Sequence, residues 1–459
     1  MGLLIGFGSP VVTVIWALCF ITVAGWLVYQ LIMRRLVTVP STVALFTFFI
    51  PIIAQYPFAL SPVNGITIGV DNYVRYRSHV DAAFLITMGG MAMLIVGYAV
   101  CGGQRSDYAP MTFLASGLRA WSQGVFLYLS SLLILLLFGL LLALGLLGAA
   151  GARDIAQSLP ALRPFYNIVH FLLPLTIVLD LLVGVGQVGR RRRSILVLAI
   201  VNLGLAVLTG SRAVALGSLL LFTLVVLAHD SLLRRLTVTR VLKLIPVAVA
   251  ALIVAVYLAD VRQGQYNIFF TAANLGLKIL YGNNFSDLRD FAWVKSYWNG
   301  EYYLGKTQAA GFLAFIPSAI SPFRAQWNWG VVTTTTTGLD PLITPGLRAG
   351  PFGEMYFNFG WIGVVLAGLA YGYVVRRVHN ATEAAVQRHP TQESRLQILA
   401  GFVTVNLAAS LLNTSGFYGT YITVAIIIGL HALDYLLRAI RSDGTRLLGS
   451  RSMSDATPS

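Results

Sequence analysis

Arg348 and Glu354 stand six residues apart in GLRAGPFGEMYFNFGW, residues 346–361. An arginine fork grips phosphate through two parallel hydrogen bonds. A carboxylate can take or orient the proton of a hydroxyl. The pair could hold a phosphate and a hydroxyl side by side. Glu354, beside a helix start, is equally suited to the positive end of the helix dipole, so both readings stand. Upstream, DLRDFAWVKSYWNG (287–300) sets Asp287 and Asp290 around Arg289. That spacing is common by chance, and the arginine between the acids argues against a cation, so no metal site is expected. Further cations follow in the same region: Arg262, Lys278, Lys295, Lys306 and Arg324. Trp293, Tyr297, Trp298, Trp327 and Trp329 fit an aromatic belt at a lipid headgroup layer. TTTTTGLD (333–340) reads as a hydroxyl-rich lid or as an ordinary loop.

These residues must be positioned by membrane helices. Of 459 residues, 57% are hydrophobic and 11% charged, with mean hydropathy +0.76. Such a composition is that of a polytopic membrane protein. A bilayer core takes roughly 20 apolar residues per helix, and the chain offers about eleven such stretches. They lie near 10–33, 41–60, 82–101, 125–149, 164–187, 194–210, 213–229, 243–260, 353–375, 396–413 and 420–437. The expected fold is all-α, a single membrane domain over 1–459.

The net charge of +15 is scattered in short clusters beside span ends. This is the positive-inside pattern, and no nucleic-acid partner is expected. Arg34–Arg35, Arg190 to Arg193, Arg234–Arg235, Arg376–Arg377 and the tail 438–459 fall on the cytoplasmic side. Residues 261–350 then form one large outward loop, roughly ninety residues long and too long to be a mere connector. Its aromatic content argues for order. NIFFTAANLGLKILYG and TQAAGFLAFIPSAI fit interfacial or re-entrant helices. Arg212 sits in TGSRAV, the tight outer turn between two spans.

Cys19 and Cys101 read as small core hydrophobes. The N-terminus lacks a basic n-region, so a cleaved signal peptide is not expected. Among polar residues within spans, His170, Asp180, Asn202, Asp260, Asn406, Asn413, His431 and Asp434 do not assemble in sequence into an ion relay. His379 and His389 fall on the cytoplasmic side. A phosphate-binding loop, a nucleophile elbow and a zinc pattern are all missing from the sequence.

TGSRAVAL (209–216), RDFAWVKSYWNG (289–300) and GPFGEMYFNFGWIGVVLAG (350–368) occur in this order and topological setting. Together they resemble the polysaccharide repeat-unit polymerases, the Wzy-like O-antigen polymerases of bacterial inner membranes. Members often have more spans. The resemblance implies a multi-pass protein of the inner membrane with its site on the periplasmic side. It implies a glycosyltransferase that joins undecaprenyl-diphosphate-linked repeat units, without cofactor or metal. Arg212, Arg289 and Arg348 would stabilise the diphosphate. Glu354, or secondly Asp287, would activate the acceptor hydroxyl. Arg262, Lys306, Arg324, Tyr297, Trp298, Trp327 and Tyr356 would line the substrate path. Membrane lipids, a chain-length regulator and a flippase are the partners such a protein implies. An O-antigen ligase of the same architecture would be expected to carry an outward histidine, which the loop lacks. A flippase would call for a charged central cavity and an internal repeat. A non-catalytic scaffold is the third alternative.

Overall fold

A computed structural model describes residues 6–32, 50–100, 108–143, 163–187, 189–208, 212–229, 246, 253, 256–257, 267–282, 286–340, 346–387, 391–412 and 417–452. Among them the regular elements are helices and no strand occurs. The first half carries α1 (Pro10–Ile32), α2 (Ile50–Ala59), α3 (Val63–Ile68), α4 (Val70–Arg77), α5 (Val80–Val100), α6 (Ala109–Trp121) and α7 (Gly124–Ala143). Then come α8 (Arg163–Gly186), α9 (Gly189–Leu208) and α10 (Arg212–His229). The expected loop holds α11 (Ile268–Ala273), α12 (Leu275–Leu280), α13 (Asp287–Tyr297), α14 (Lys306–Phe312), α15 (Pro322–Trp327) and α16 (Trp329–Thr337). The chain closes with α17 (Gly350–Gln387), α18 (Gln392–Ser410) and α19 (Phe417–Ser452).

Three helices among the described residues are long and apolar enough to cross a membrane: Val80–Val100, Gly350–Ala385 and Phe417–Leu436. A fourth follows if Ala109–Trp121 and Val125–Leu140, bent by 79°, form one span. Shorter apolar helices cover Pro10–Trp26, Phe171–Val185 and Gly217–Val226. These helices point to a membrane protein; about eleven spans of roughly 20 residues were expected. Residues 41–49 and most of 243–260 of the expected spans lie outside the described residues, as do Arg262, Asp260, Cys101, Asn413 and His389. The segment 438–452 continues α19 as helix.

The closest helix packing joins α5 to α17. A side chain at Gly368 would overlap the Gly90 carbonyl; one at Gly372 would overlap the Leu94 carbonyl; one at Gly97 would overlap the Leu369 carbonyl. Glycines four apart let two backbones meet with no side chain between them, which is how helices pack in lipid.

α17 is bent at Gly360, whose φ of 61° and ψ of −148° are not helical. The break removes the helical donors for the preceding carbonyls. Two backbone N–H groups from the loop before α14 replace them: Tyr303 donates to Phe357 O at 2.9 Å and Leu304 to Asn358 O at 3.0 Å. A chain turn far away in sequence thus repairs the broken helix, as buried peptide groups require.

The segment 261–350, expected as an outward loop, packs into the core through α13. α13 packs on α2, α4, α5, α16 and α17, and its Leu288, Phe291, Ala292 and Val294 are fully buried. α11 presents apolar side chains to the surface. Phe269 is 84% exposed, and Ile268 and Phe270 are exposed beside it. Phe312, Phe315 and Ile320 make a second exposed apolar set. The threonine run is no lid. It is α16, capped by Asn328 at one end and by left-handed Gly338 at the other. Thr334 and Thr337 return their hydroxyls to carbonyls four residues back.

Candidate functional site

α13 and the start of α17 bring two charged sets to neighbouring positions. The first is built on α13 and the segment before α17. Arg289 donates through Nε (3.2 Å) and Nη2 (3.1 Å) to Asp290 Oδ1, and through Nη1 (3.2 Å) to the Tyr281 carbonyl. Ser286 Oγ donates to Asp290 Oδ2 at 2.7 Å. Arg289 is only 6% exposed. It is an internal strut, neutralised by its sequence neighbour, and borders a water-sized pocket of about 10 Å³ with Gln55 and Asn64.

Arg348 differs. Its side chain is 55% exposed, with Nε 3.4 Å from Asp287 Oδ1 and Nη2 donating to Ser286 Oγ at 3.4 Å. Its guanidinium is therefore accessible to a ligand. Asp287 keeps 37% of its side-chain surface, although its Oδ1 atom is itself buried. Burial pushes the Asp287 carboxyl up, opposed by the Arg348 charge and reinforced by Asp290. Asp287 also lies against Gly350, where α17 begins.

The second set surrounds Glu354. Its Oε1 accepts from Thr307 Oγ1 at 3.1 Å. Asn358 Nδ2 donates to that same hydroxyl at 2.6 Å and to the Glu354 carbonyl at 2.9 Å. Glu354 is 1% exposed, and Thr307 and Asn358 are fully buried. Glu354 stands in the second turn of α17, since the first turn holds no acid; it is no helix-dipole partner. It ties α14 to the α17 bend.

An aromatic wall is built on the same helices, α13 and α17, and the loop that follows α13. Trp298 packs on Tyr302, Tyr356 and Phe357 with ring centroids 5.3, 5.9 and 5.2 Å apart. Lys295 Nζ lies 5.1 Å from the Tyr356 ring centre and 5.6 Å from that of Trp298, and burial lowers its pKa. Lys306 Nζ stands 4.5 Å over the Trp327 ring. Arg324 donates to the Ile316 carbonyl, bracing α15 against the turn after α14. Tyr297 is used for packing: its hydroxyl donates to Asn72 Oδ1 at 3.0 Å, and Arg75 stacks over its ring at 3.8 Å.

The expected residues thus fall into classes. Arg289, Arg348 and Asp287 meet; Glu354 sits in a separate buried set; Trp298, Tyr356, Lys306 and Trp327 border the aromatic wall. Arg212 opens α10, and its side chain is outside the described residues, as is Arg262 altogether. Sequence reasoning passed over Ser286, Thr307 and Asn358 as functional groups. Neutral hydroxyls and amides carry no charge signal, and Thr307 lies 47 residues from Glu354. A cavity of about 540 Å³ lies elsewhere, between α1, α2, α5 and α17, with a mostly apolar lining that includes Leu18, Met88, Met91 and Tyr98. Among the described residues no cluster of three or more His, Cys, Asp or Glu could hold a metal. No family model, no curated protein and no solved structure matches this chain.

Proposed function

We propose that the protein is a lipid-linked glycosyltransferase that polymerises oligosaccharide repeat units on the outer face of a bacterial inner membrane. The observation that carries this reading is the Arg348–Asp287 pair. It joins an accessible guanidinium to a carboxyl whose pKa is raised, at the head of a membrane-length helix that also carries part of the aromatic wall. Exposed Phe269, Phe270 and Phe312 on the same loop suit a site at the lipid surface. There a polyprenyl diphosphate and a sugar hydroxyl would meet.

In the reaction, the acceptor oxygen bonds to the anomeric carbon of the donor glycan, and the bond from that carbon to the diphosphate oxygen breaks. The diphosphate leaves with the electron pair. Arg348 stabilises the charge that develops on it, an effect largest in a site that excludes water. Asp287 receives the hydroxyl proton; a carboxylate with a raised pKa is the better base near neutral pH. Arg289, held by Asp290, fixes α13 beneath the pair. Glu354 is a positioning residue that acts through Thr307 and the α17 bend. The aromatic wall of Trp298 and Tyr356 offers stacking faces to sugar rings. Arg212 remains a candidate second donor from the neighbouring hairpin.

The test is a deletion strain complemented with Arg348→Ala, Asp287→Asn or the unaltered gene, with glycan length read on a gel. The deletion should leave single repeat units on the finished glycan, and only the unaltered gene should restore long chains. Full-length polymer in the deletion strain contradicts the proposal. Lipid-linked units trapped on the inner face would identify a flippase instead.

A further inference from the structure

Asp180 on α8, Asn202 on α9 and Ser131 on α7 meet inside the helix bundle, and all three are fully buried. Asn202 Nδ2 donates to Asp180 Oδ2 at 2.9 Å and to Ser131 Oγ at 3.1 Å. The other oxygens of the two joined groups, Asp180 Oδ1 and Asn202 Oδ1, are buried and have no hydrogen-bond partner. The ion pairs among the described residues do not include Asp180. Ile134, Leu173, Ile177 and Ala206 form an apolar core on the same helices.

The surrounding elements carry charged groups, among them Arg163 on α8, Arg212 on α10, and Arg438 and Arg441 on α19, whose side chains are outside the described residues. α9 carries Arg190 to Arg193 in its exposed first turns. α7 has none, and α10 has none between Val214 and Ala228. α18 brings Glu393 and Arg395 near its N-terminus. α19 brings His431, which is engaged with Ser116 and the Phe113 carbonyl on α6, and Asp434. On α8 itself, the side chain of His170 is outside the described residues.

A lone carboxylate in an apolar interior is strongly unfavourable unless its charge is neutralised. A buried oxygen lacking a donor adds a further cost. Ionisable groups inside membrane bundles commonly mark ion or proton sites. Here two such oxygens flank one hydrogen bond, with a hydroxyl oxygen beside them. We propose that Asp180, Asn202 and Ser131 form a binding site for one monovalent cation, a sodium ion or a proton. The bound charge neutralises Asp180, and the oxygens of Asn202 and Ser131 supply the remaining polar contacts. A hard cation takes such oxygen ligands. A single carboxylate is too little charge for a divalent ion in an apolar bundle. The site is independent of the proposed glycosyl transfer, and its test does not read polymer formation.

The purified full chain in nanodiscs is heated at pH 7 in sodium chloride and in choline chloride of equal ionic strength. Infrared spectra of the same samples report protonated carboxyl groups, against the Asp180→Asn variant. If sodium is the ligand, the melting temperature rises with sodium concentration, as mass action requires, and Asp180→Asn abolishes the rise. If a proton is the ligand, sodium has no effect and a protonated-carboxyl band, present at pH 7, disappears in Asp180→Asn. A protein insensitive to sodium whose carboxyl band is the same in Asp180→Asn overturns the proposal. Should Asp180→Asn not fold, Ser131→Ala takes its place. It should raise the sodium midpoint about tenfold, the loss of one oxygen ligand to a charge, or shift the carboxyl band. An unchanged midpoint together with an unchanged band again overturns it.

Discussion

In the proposed transfer, Arg348 and Asp287 divide the work of charge between them. Under the proposed reaction, Arg348→Ala removes the donor assigned to the leaving diphosphate and should lower transfer by on the order of 100- to 1000-fold. Arg348→Lys keeps the charge but loses the planar fork, so it should recover only part of that loss; single-turnover assays on the two variants separate the effects. Asp287 gives a pH prediction. Its pKa is raised by burial, and the base must be ionised. The rate should therefore climb as pH rises through the raised pKa, and Asp287→Asn should flatten the profile. The stability linkage runs the opposite way. A carboxyl with a raised folded pKa contributes stability below its unfolded pKa and loses it as pH rises through the folded one. Glu354 tests the difference between chemistry and positioning. Glu354→Gln keeps an oxygen for Thr307 and should retain most activity. Glu354→Ala strands the buried Thr307 and Asn358 groups and should cost about 1–3 kcal/mol in chemical denaturation. Arg348, Asp287 and Glu354 were legible in the sequence as charges in an unusual place. Their partition was not. The Arg289–Asp290 pairing turns one expected anion contact into a strut, and Thr307 and Asn358 join Glu354 only through the fold.

At the scale of elements, the bend at Gly360 and the glycine contact between α5 and α17 position the site. Gly360→Ala forces a side chain into a backbone region held almost solely by glycine, and toward the Tyr302 ring at 3.0 Å. The cost should be about 1–3 kcal/mol. Because Tyr303 and Leu304 repair the broken helix, the loop carrying Trp298 and Tyr302 should exchange amide hydrogens faster in this variant. Gly372→Leu places a side chain on the Leu94 carbonyl. Overpacking of this kind costs about 1–3 kcal/mol or more, and it should be read as a loss of folded yield and of melting temperature. Long apolar helices such as α5, α8 and α10 announce themselves by composition. α13 does not: an eleven-residue helix carrying Asp287, Arg289, Asp290 and Lys295 holds no long apolar run. It is buried because Asp290 cancels Arg289 and because Leu288, Phe291 and Val294 share its inner side. The five threonines misled for a related reason. A threonine hydroxyl that bonds back to its own helix is satisfied without solvent, so a polar run becomes a buried helix.

At the scale of the molecule, the described residues combine long apolar helices with shorter ones, and α13, one of the shorter ones, is buried among them. The all-helical character was plain from hydropathy. The number of crossings was less so, because short and bent helices such as α6 and α7 do not map one apolar run to one crossing. The proposed orientation places Arg348 and Phe269 on the outer face. A cysteine introduced at Phe269 should therefore react with a membrane-impermeant thiol reagent added to intact cells whose outer membrane has been opened. One introduced at Arg191 should react only after the inner membrane is opened as well. The most direct test of the central claim is transfer by the purified chain in liposomes, with a polyprenyl-diphosphate-linked repeat unit as sole substrate. A ladder of lengthened glycans with release of polyprenyl diphosphate, lost in Arg348→Ala, is the predicted result. Substrate that crosses the bilayer unchanged, or stays a single unit with the unaltered protein, would contradict the account.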